Sequence, residues 1–274
     1  MDEPLPERCR VVAWRPAVPG ISEVFHARIV NYEYPKHCHD TWTVLIVDDG
    51  AIRYDLDTRH HGAVGRTVSI LPPGVVHNGY PSRRTGHFRK RNLYLDSGFL
   101  PLDLVGRAVD GSSFEDAALR AAIGALHDRL TAPDPLDVEE RLAAIAERFR
   151  HRLLRRPPVV RDPEPTVADG LRDYLDGHLT GDVTLKNAAH LLDRSVAHLV
   201  RSFTRRYRIS PHAYVIGARI DLARKLLLDG VPPARVAAET GFHDQAHLTR
   251  HFTRHVSIPP GRYAAGYPKA ASGS

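Results

Sequence analysis

The sequence predicts a multidomain α+β chain: a β-barrel with an appended helical pair, followed by an all-α domain. Three observations predict it. Apolar residues switch from strand-like to helix-like spacing after Gly111, and four prolines crowd the eleven residues from Arg155 to Pro165. Beyond those prolines, one helical unit occurs twice. The length of 274 residues is comfortable for two domains, and 42% hydrophobic with 26% charged residues excludes wholesale disorder. Two cysteines, Cys9 and Cys38, exclude a disulfide framework and a four-thiolate zinc site. No apolar run approaches the ~18 residues of a membrane helix, and the opening MDEPLPERCR lacks a signal-peptide core. A soluble, cytoplasmic protein without a membrane partner is expected.

Residues 1–110 form the expected barrel. Short runs such as Trp42–Val47, Ala51–Leu56 and Thr67–Leu71 are rich in β-branched residues. Turn chemistry separates them at Asp48-Asp49-Gly50, His61-Gly62 and Pro72-Pro73-Gly74. Residues 111–154 form the expected helical pair. Ser112 to Asp116 offers a capping box for a helix from Ala117 to Leu130. A second helix runs from Asp137 to Leu154, with Leu142, Ile145, Phe149 and Leu153 on one apolar stripe. The stripe packs on the barrel or on its neighbouring helix, or mates with a second copy; residues 111–154 are read as a dimerisation region and a homodimer is expected. Residues 155–165 read as a linker, because proline stiffens the chain and cannot continue a helix.

The net charge of +6 is unevenly placed. Residues 1–165 hold 23 basic and 23 acidic side chains, whereas residues 166–274 hold 15 and 9. The excess lies wholly in the last two-fifths of the chain and suggests a polyanionic partner there. The same segment carries the repeat. His198-Leu-Val-Arg-Ser-Phe-Thr-Arg205 aligns with His247-Leu-Thr-Arg-His-Phe-Thr-Arg254 at an offset of 49. Ala188-Ala189, Ile209, Pro211 and Tyr214 match Ala237-Ala238, Ile258, Pro260 and Tyr263 at that offset. Each unit reads as a short helix, a three- or four-residue turn and a longer helix, the helix-turn-helix grammar. Leu199 and Phe203, like Leu248 and Phe252, should face the core. Ala197, Val200 and Arg201, with Ala246, Thr249 and Arg250, then face outward, where arginine can pair with guanine in the major groove. Arg205, Arg206, Arg208 and Arg254 are placed for phosphates. Between the units, Pro211 to Asp229 forms one helix that spaces the two reading helices.

Residues 166–265, with Gly241-Phe242-His-Asp244-Gln245, Arg250-His-Phe252 and Pro260-Gly-Arg-Tyr263, resemble the DNA-binding domain of AraC/XylS-family transcription regulators. The resemblance places base-reading positions on Ala197, Val200, Arg201, Gln245, Ala246, Thr249 and Arg250. It also implies double-stranded promoter DNA as a partner. Asp193, Arg208 and Ser257 stand where that family commonly has glycine. In the barrel, Pro35-Lys-His37-Cys-His39 and Pro72-Pro73-Gly74-Val-Val-His77 resemble the two cupin motifs, with Thr43 and Val44 where a carboxylate is expected. What this implies is a cupin-like effector-binding barrel and a small-molecule effector, with His37, His39, Trp42, His77 and Tyr94 as candidate pocket residues. No cofactor, resident metal or catalytic activity is expected. The alternative is a metal-dependent cupin enzyme, its three histidines ligating one divalent ion, with an accessory helix-turn-helix domain. Cys38 alternates to the face opposite His37 and His39, away from thiol chemistry with them.

Overall fold

A computed structural model describes residues 9–155, 166–181 and 183–266. The prolines expected to form the linker lie outside the described residues. The strands are β1 (Arg10–Trp14), β2 (Ile21–Val30), β3 (Tyr34–His37), β4 (Trp42–Leu56), β5 (Arg59–Val64), β6 (Thr67–Leu71), β7 (His77–Pro81), β8 (His87–Leu95) and β9 (Ser113–Glu115). Three helices belong with them, α1 (Val105–Asp110), α2 (Ala117–Arg129) and α3 (Pro135–Leu154). The C-terminal part holds α4 (Val167–Gly177), α5 (Leu185–Leu191), α6 (Val196–Tyr207), α7 (Pro211–Leu228), α8 (Pro233–Glu239), α9 (Gln245–Val256) and α10 (Pro260–Ala264).

Strand β4 organises the barrel. Its first half pairs with β8 and β6 in an antiparallel run ordered β1-β2-β8-β4-β6-β9. Its second half pairs with β5 and β7, and β7 pairs with β3. The Asp48-Asp49-Gly50 turn expected from sequence is instead a bulge inside this single fifteen-residue strand. Gly50 has φ +73, and a Cβ there would meet the His87 carbonyl oxygen at 2.2 Å. Only glycine lets the strand bend there and serve both sheets. The expected turn at His61-Gly62 also moves: these residues lie within β5, and the hairpin turns at Asp57-Thr58, with Asp57 at φ +55. His61 then stacks on Tyr54 and hydrogen-bonds the Val109 carbonyl at 3.0 Å rather than standing on an exposed loop.

Both faces of β4 are buried, with alternate side chains going to different cores. Trp42, Val44 and Ile46 join Leu93, Leu119, Ile123, Leu126, Ile145, Phe149 and Leu153 under α2 and α3. The stripe on α3 thus packs within the chain, the simpler of its two readings. The expected capping box is corrected. Ser113–Glu115 pairs with β6, and Asp116 alone caps α2, accepting from the Leu119 amide at 3.0 Å. Asp116 also binds Arg148 at 2.6 Å and Arg152 at 2.9 Å, tying α3 to the start of α2 and holding its carboxyl below the usual range.

The 49-residue offset is a structural repeat. Helices α6 and α9 are both twelve residues long and start and stop 49 residues apart. Ser195 and Asp244 cap them on the third amide, and Arg208 and Ser257 end them in the left-handed conformation. Ala188 and Ala237, both fully buried, let the short helices α5 and α8 approach. Asp193, Arg208 and Ser257, the three departures from glycine, have φ of 48, 58 and 69. They carry the cost of about 1–2 kcal/mol that an L-residue incurs in that region. The apolar core of the second unit is continuous with the barrel interior, since Ile216, Ile220, Phe252 and Tyr263 share one cluster with Phe25, Ala27 and Tyr34.

Candidate DNA-reading face and barrel cavity

Two sites emerge, one on the helical domain and one inside the barrel. On the first, Leu199, Phe203, Leu248 and Phe252 are fully buried. Because helical side chains three and four apart share a face, the remaining face of α6 and α9 is presented outward. Ala197, Arg201, Arg205, Gln245, Ala246, Arg250 and Arg254 are exposed, and Val200 and Thr249 are half-buried. Among the described residues, Arg201, Arg205, Arg250 and Arg254 have no side-chain ion pair, so their charge is free for a partner. Arg206 does not share this freedom, lying 3.6 Å from Asp169. Helix α7 holds the two units apart; its eighteen residues span about 27 Å. Its Arg219 bonds the Leu179 and Gly181 carbonyls and the Gly241 carbonyl in the second unit's turn.

The barrel cavity is lined by His37, His39, Thr43, His77, Lys90, Asn92 and Tyr94 among others. It encloses about 60 Å³. His37 and His77 are cross-strand partners on β3 and β7, and His39 follows two residues after His37. The rings pack together, with centroids 4.5 Å apart for His37–His77, 4.8 Å for His37–His39 and 5.2 Å for His39–His77. Tyr94 stands edge-on to His39 at 5.0 Å. Burial holds all three imidazoles neutral, with His77 pushed down to about 4 and the other two well below the usual value. Trp42 is not in the cavity. It lies on the opposite face of β4, with its indole N–H on the Leu100 carbonyl at 3.1 Å, and Thr43 faces inward. The difference is one residue of register, which sends a side chain through the sheet.

Sequence reasoning missed the other polar members of this cavity. Lys90 lies beside Tyr94's face of β8 and sits over the Tyr34 ring at 4.6 Å. Burial, then the Arg224 charge, pushes it down to about 7. Strand alternation from Tyr94 through Asn92 to Lys90 carried that signal. Among the described residues Thr43 Oγ1 and Asn92 Oδ1 lack a hydrogen-bond partner. The cavity wall is completed by Gly217, Ile220, Asp221 and Arg224, all from α7. His39 Nδ1 bonds Asp221 at 2.8 Å, and Arg224 donates to Glu23 of β2 at 2.7 Å and to the Tyr263 hydroxyl at 3.2 Å. Lys225 bonds Asp40 at 2.6 Å, and Tyr32 donates to the Thr253 carbonyl at 3.1 Å. The helix that joins the two reading units is thus also the lid of the barrel. Outside that lid, a broader cleft of about 920 Å³ runs between the two parts, with Asp40, Arg107, Arg172 and Lys225 on its walls.

Two family models match the chain, an AraC-like ligand binding domain over residues 19–146 and a helix-turn-helix domain over residues 188–266. A stretch of 85 residues is 40% identical to the uncharacterized HTH-type transcriptional regulator YbfI of Bacillus subtilis (strain 168). That match covers 31% of each protein, so it spans about a third of the relative's length. The fold is similar to that of unsaturated-fatty-acid-bound ToxT from Vibrio cholerae strain SCE256, at 12% identity and a TM-score of 0.61 over 100% of both chains. It is also similar to ToxT from Vibrio cholerae O395, at 10% identity and a TM-score of 0.62 over 94% of this chain and 97% of that one. Among the described residues, no helix is long and apolar enough to cross a membrane.

Proposed function

We propose that this chain is an AraC-family transcription regulator with an N-terminal ligand-binding domain, and that it binds promoter DNA under the control of a small effector in its barrel. One observation carries the reading: α7 both spaces the two reading helices and forms one wall of the barrel cavity. The space of about 60 Å³ is far below the ~300–1,000 Å³ of a pocket for a drug-sized ligand. An effector of that size enters only where α7 lifts, so occupancy of the barrel and the placing of the helical domain become one equilibrium. An effector shifts that equilibrium only by its difference in affinity for the two arrangements. Among the described residues, Lys90 supplies an amine held only by aromatic rings, and Thr43 Oγ1 and Asn92 Oδ1 are without partners, which suits a small polar effector such as a carboxylic acid.

On the DNA side, Arg201, Gln245, Ala246, Thr249 and Arg250 read bases, with Ala197 and Val200 making apolar contacts. Arg205 and Arg254 contact phosphates. The first unit, reading through Ala197 and Val200, specifies fewer bases than the second. The protein works in the cytoplasm as a homodimer on repeated half-sites, joined through a face other than the buried stripe on α3. Regulation rather than catalysis is its role. The test is in-vitro selection of duplex DNA bound by the purified full-length chain, followed by titration of the selected site. A selected motif bound at least 10³-fold tighter than random duplex at the same salt is expected. Enrichment of no motif would sink the reading.

A further inference from the structure

The histidine trio goes beyond the effector reading. Each of its Nδ1 atoms meets an oxygen that can only accept: His37 the Pro35 carbonyl at 2.7 Å, His77 the Val75 carbonyl at 3.0 Å, and His39 the Asp221 carboxylate at 2.8 Å. Each ring therefore carries its proton on Nδ1 and its lone pair on Nε2. One ring nitrogen of each histidine lies within 4.8 Å of those of the other two. Among the described residues no Nε2 of the trio has a hydrogen-bond partner. Three lone pairs on one small cavity wall, each ring held from behind by a hydrogen bond, is the arrangement that orients imidazoles on a metal.

We propose that His37, His39 and His77 form a site for one divalent first-row transition ion of the zinc class, with Asp221 of α7 as its outer carboxylate. Imidazole nitrogen suits such ions, whereas magnesium and calcium prefer oxygen. Bonds of about 2.0–2.1 Å to a tetrahedral ion draw the three nitrogens to roughly 3.4 Å spacing. The cavity has room for an ion and ordered water. Nearby positive charge does not forbid it, because Arg224 is neutralised by Glu23 at 2.7 Å and Asp221 at 3.5 Å. Lys90 lines the same cavity as the three rings. Coordination makes the His39 Nδ1–H a stronger donor to Asp221. Ion binding and α7 docking thus favour each other, and by reciprocity each raises the other's affinity. The ion holds α7 on the barrel, opposing an effector that lifts it.

The experiment uses full-length protein stripped with a chelator and titrated with Co²⁺, followed by visible absorption, and with Zn²⁺, followed by calorimetry. One tight equivalent is expected, with the absorption bands of nitrogen-ligated Co²⁺. His39→Ala and His77→Ala should each abolish it, and His77→Gln, which keeps a polar side chain in the cavity, should do the same in a protein of unchanged circular dichroism. Asp221→Asn should keep one equivalent with affinity reduced about 10–100-fold. Absence of a tight equivalent in the parent protein overturns the proposal. So does a tight equivalent that survives His77→Gln and disappears with His247→Ala, since that places the ion on the exposed α9 histidines. Unaltered affinity in Asp221→Asn removes the link to α7. Metal binding is read without DNA, so failure here leaves the regulator reading standing.

Discussion

Arg250 projects from the second turn of α9 with no intramolecular partner among the described residues, while Leu248 and Phe252 beside it are fully buried. A guanidinium held out by its own helix and left unneutralised suits bidentate contact with guanine. Arg250→Ala should weaken binding to the selected site by about 1–3 kcal/mol and relax preference at one base position. Fluorescence anisotropy against single-base variants of the site measures both, and an unaltered preference profile would remove Arg250 from the reading set. The exposure of this residue was legible in the sequence because duplication supplied an internal control, the matching Arg201. Trp42 was not legible in the same way. A strand shows its alternation but not which phase faces the cavity, and only the packing of α2 and α3 against one sheet face decides it.

At the scale of elements, α2 docks on β2 through two histidines. His26 Nε2 lies 3.1 Å from His127 Nδ1, so a single proton serves both rings. Burial, then the Arg91 charge, pushes His26 down to about 4. Burial, then His26, holds His127 well below its usual value. In the unfolded chain both take up protons near pH 6.5. Between about pH 6.5 and 4 the unfolded state therefore binds more protons, and stability falls as pH falls through that window. The melting temperature should decline as pH falls from about 6.5 toward 4. Replacing the pair, by His26→Gln with His127→Asn, should flatten part of that decline. A pH profile identical in the double variant and the parent would place the acid sensitivity elsewhere. Helices α2, α3 and α5 to α9 were legible to within a few residues, since caps such as Asp244 and Ser195 and the 3.6 period are local, whereas the short α1 was not expected. The bulge in β4 and strand β9 were not, because each is defined by a partner far along the chain.

For the whole molecule, the decisive feature is a buried ion pair between the two parts. Glu23 of β2 and Arg224 of α7 are 2.7 Å apart, with side chains 7% and 5% exposed, and Arg224 lies over the Tyr94 ring at 4.3 Å. Burial raises the Glu23 carboxyl, and the Arg224 charge opposes that rise. Breaking a buried pair costs up to about 3–5 kcal/mol, and here Asp221 at 3.5 Å offsets part of the Arg224 charge, whereas an apolar pair of similar volume is often neutral. Glu23→Ala should therefore loosen the docking of α7, seen as a larger radius of gyration by small-angle scattering. Glu23→Leu with Arg224→Met should restore the compact form. Equal radii in Glu23→Ala and the parent would show that the shared apolar cluster alone holds the parts together.

Sequence pattern carried the two-part architecture, the duplicated helix-turn-helix unit, its outward arginines and the histidines of the barrel. Each of these is written in short-range spacing or in repetition, which a linear reading detects. Tertiary structure alone decided that α7 is the lid of the barrel and that the α3 stripe serves the intramolecular core. It also decided that Asp221 stands behind His39, 182 residues away. No local pattern encodes such a contact. It exists because two apolar surfaces, one on the barrel and one on the second reading unit, merge into a single core and carry their polar neighbours together.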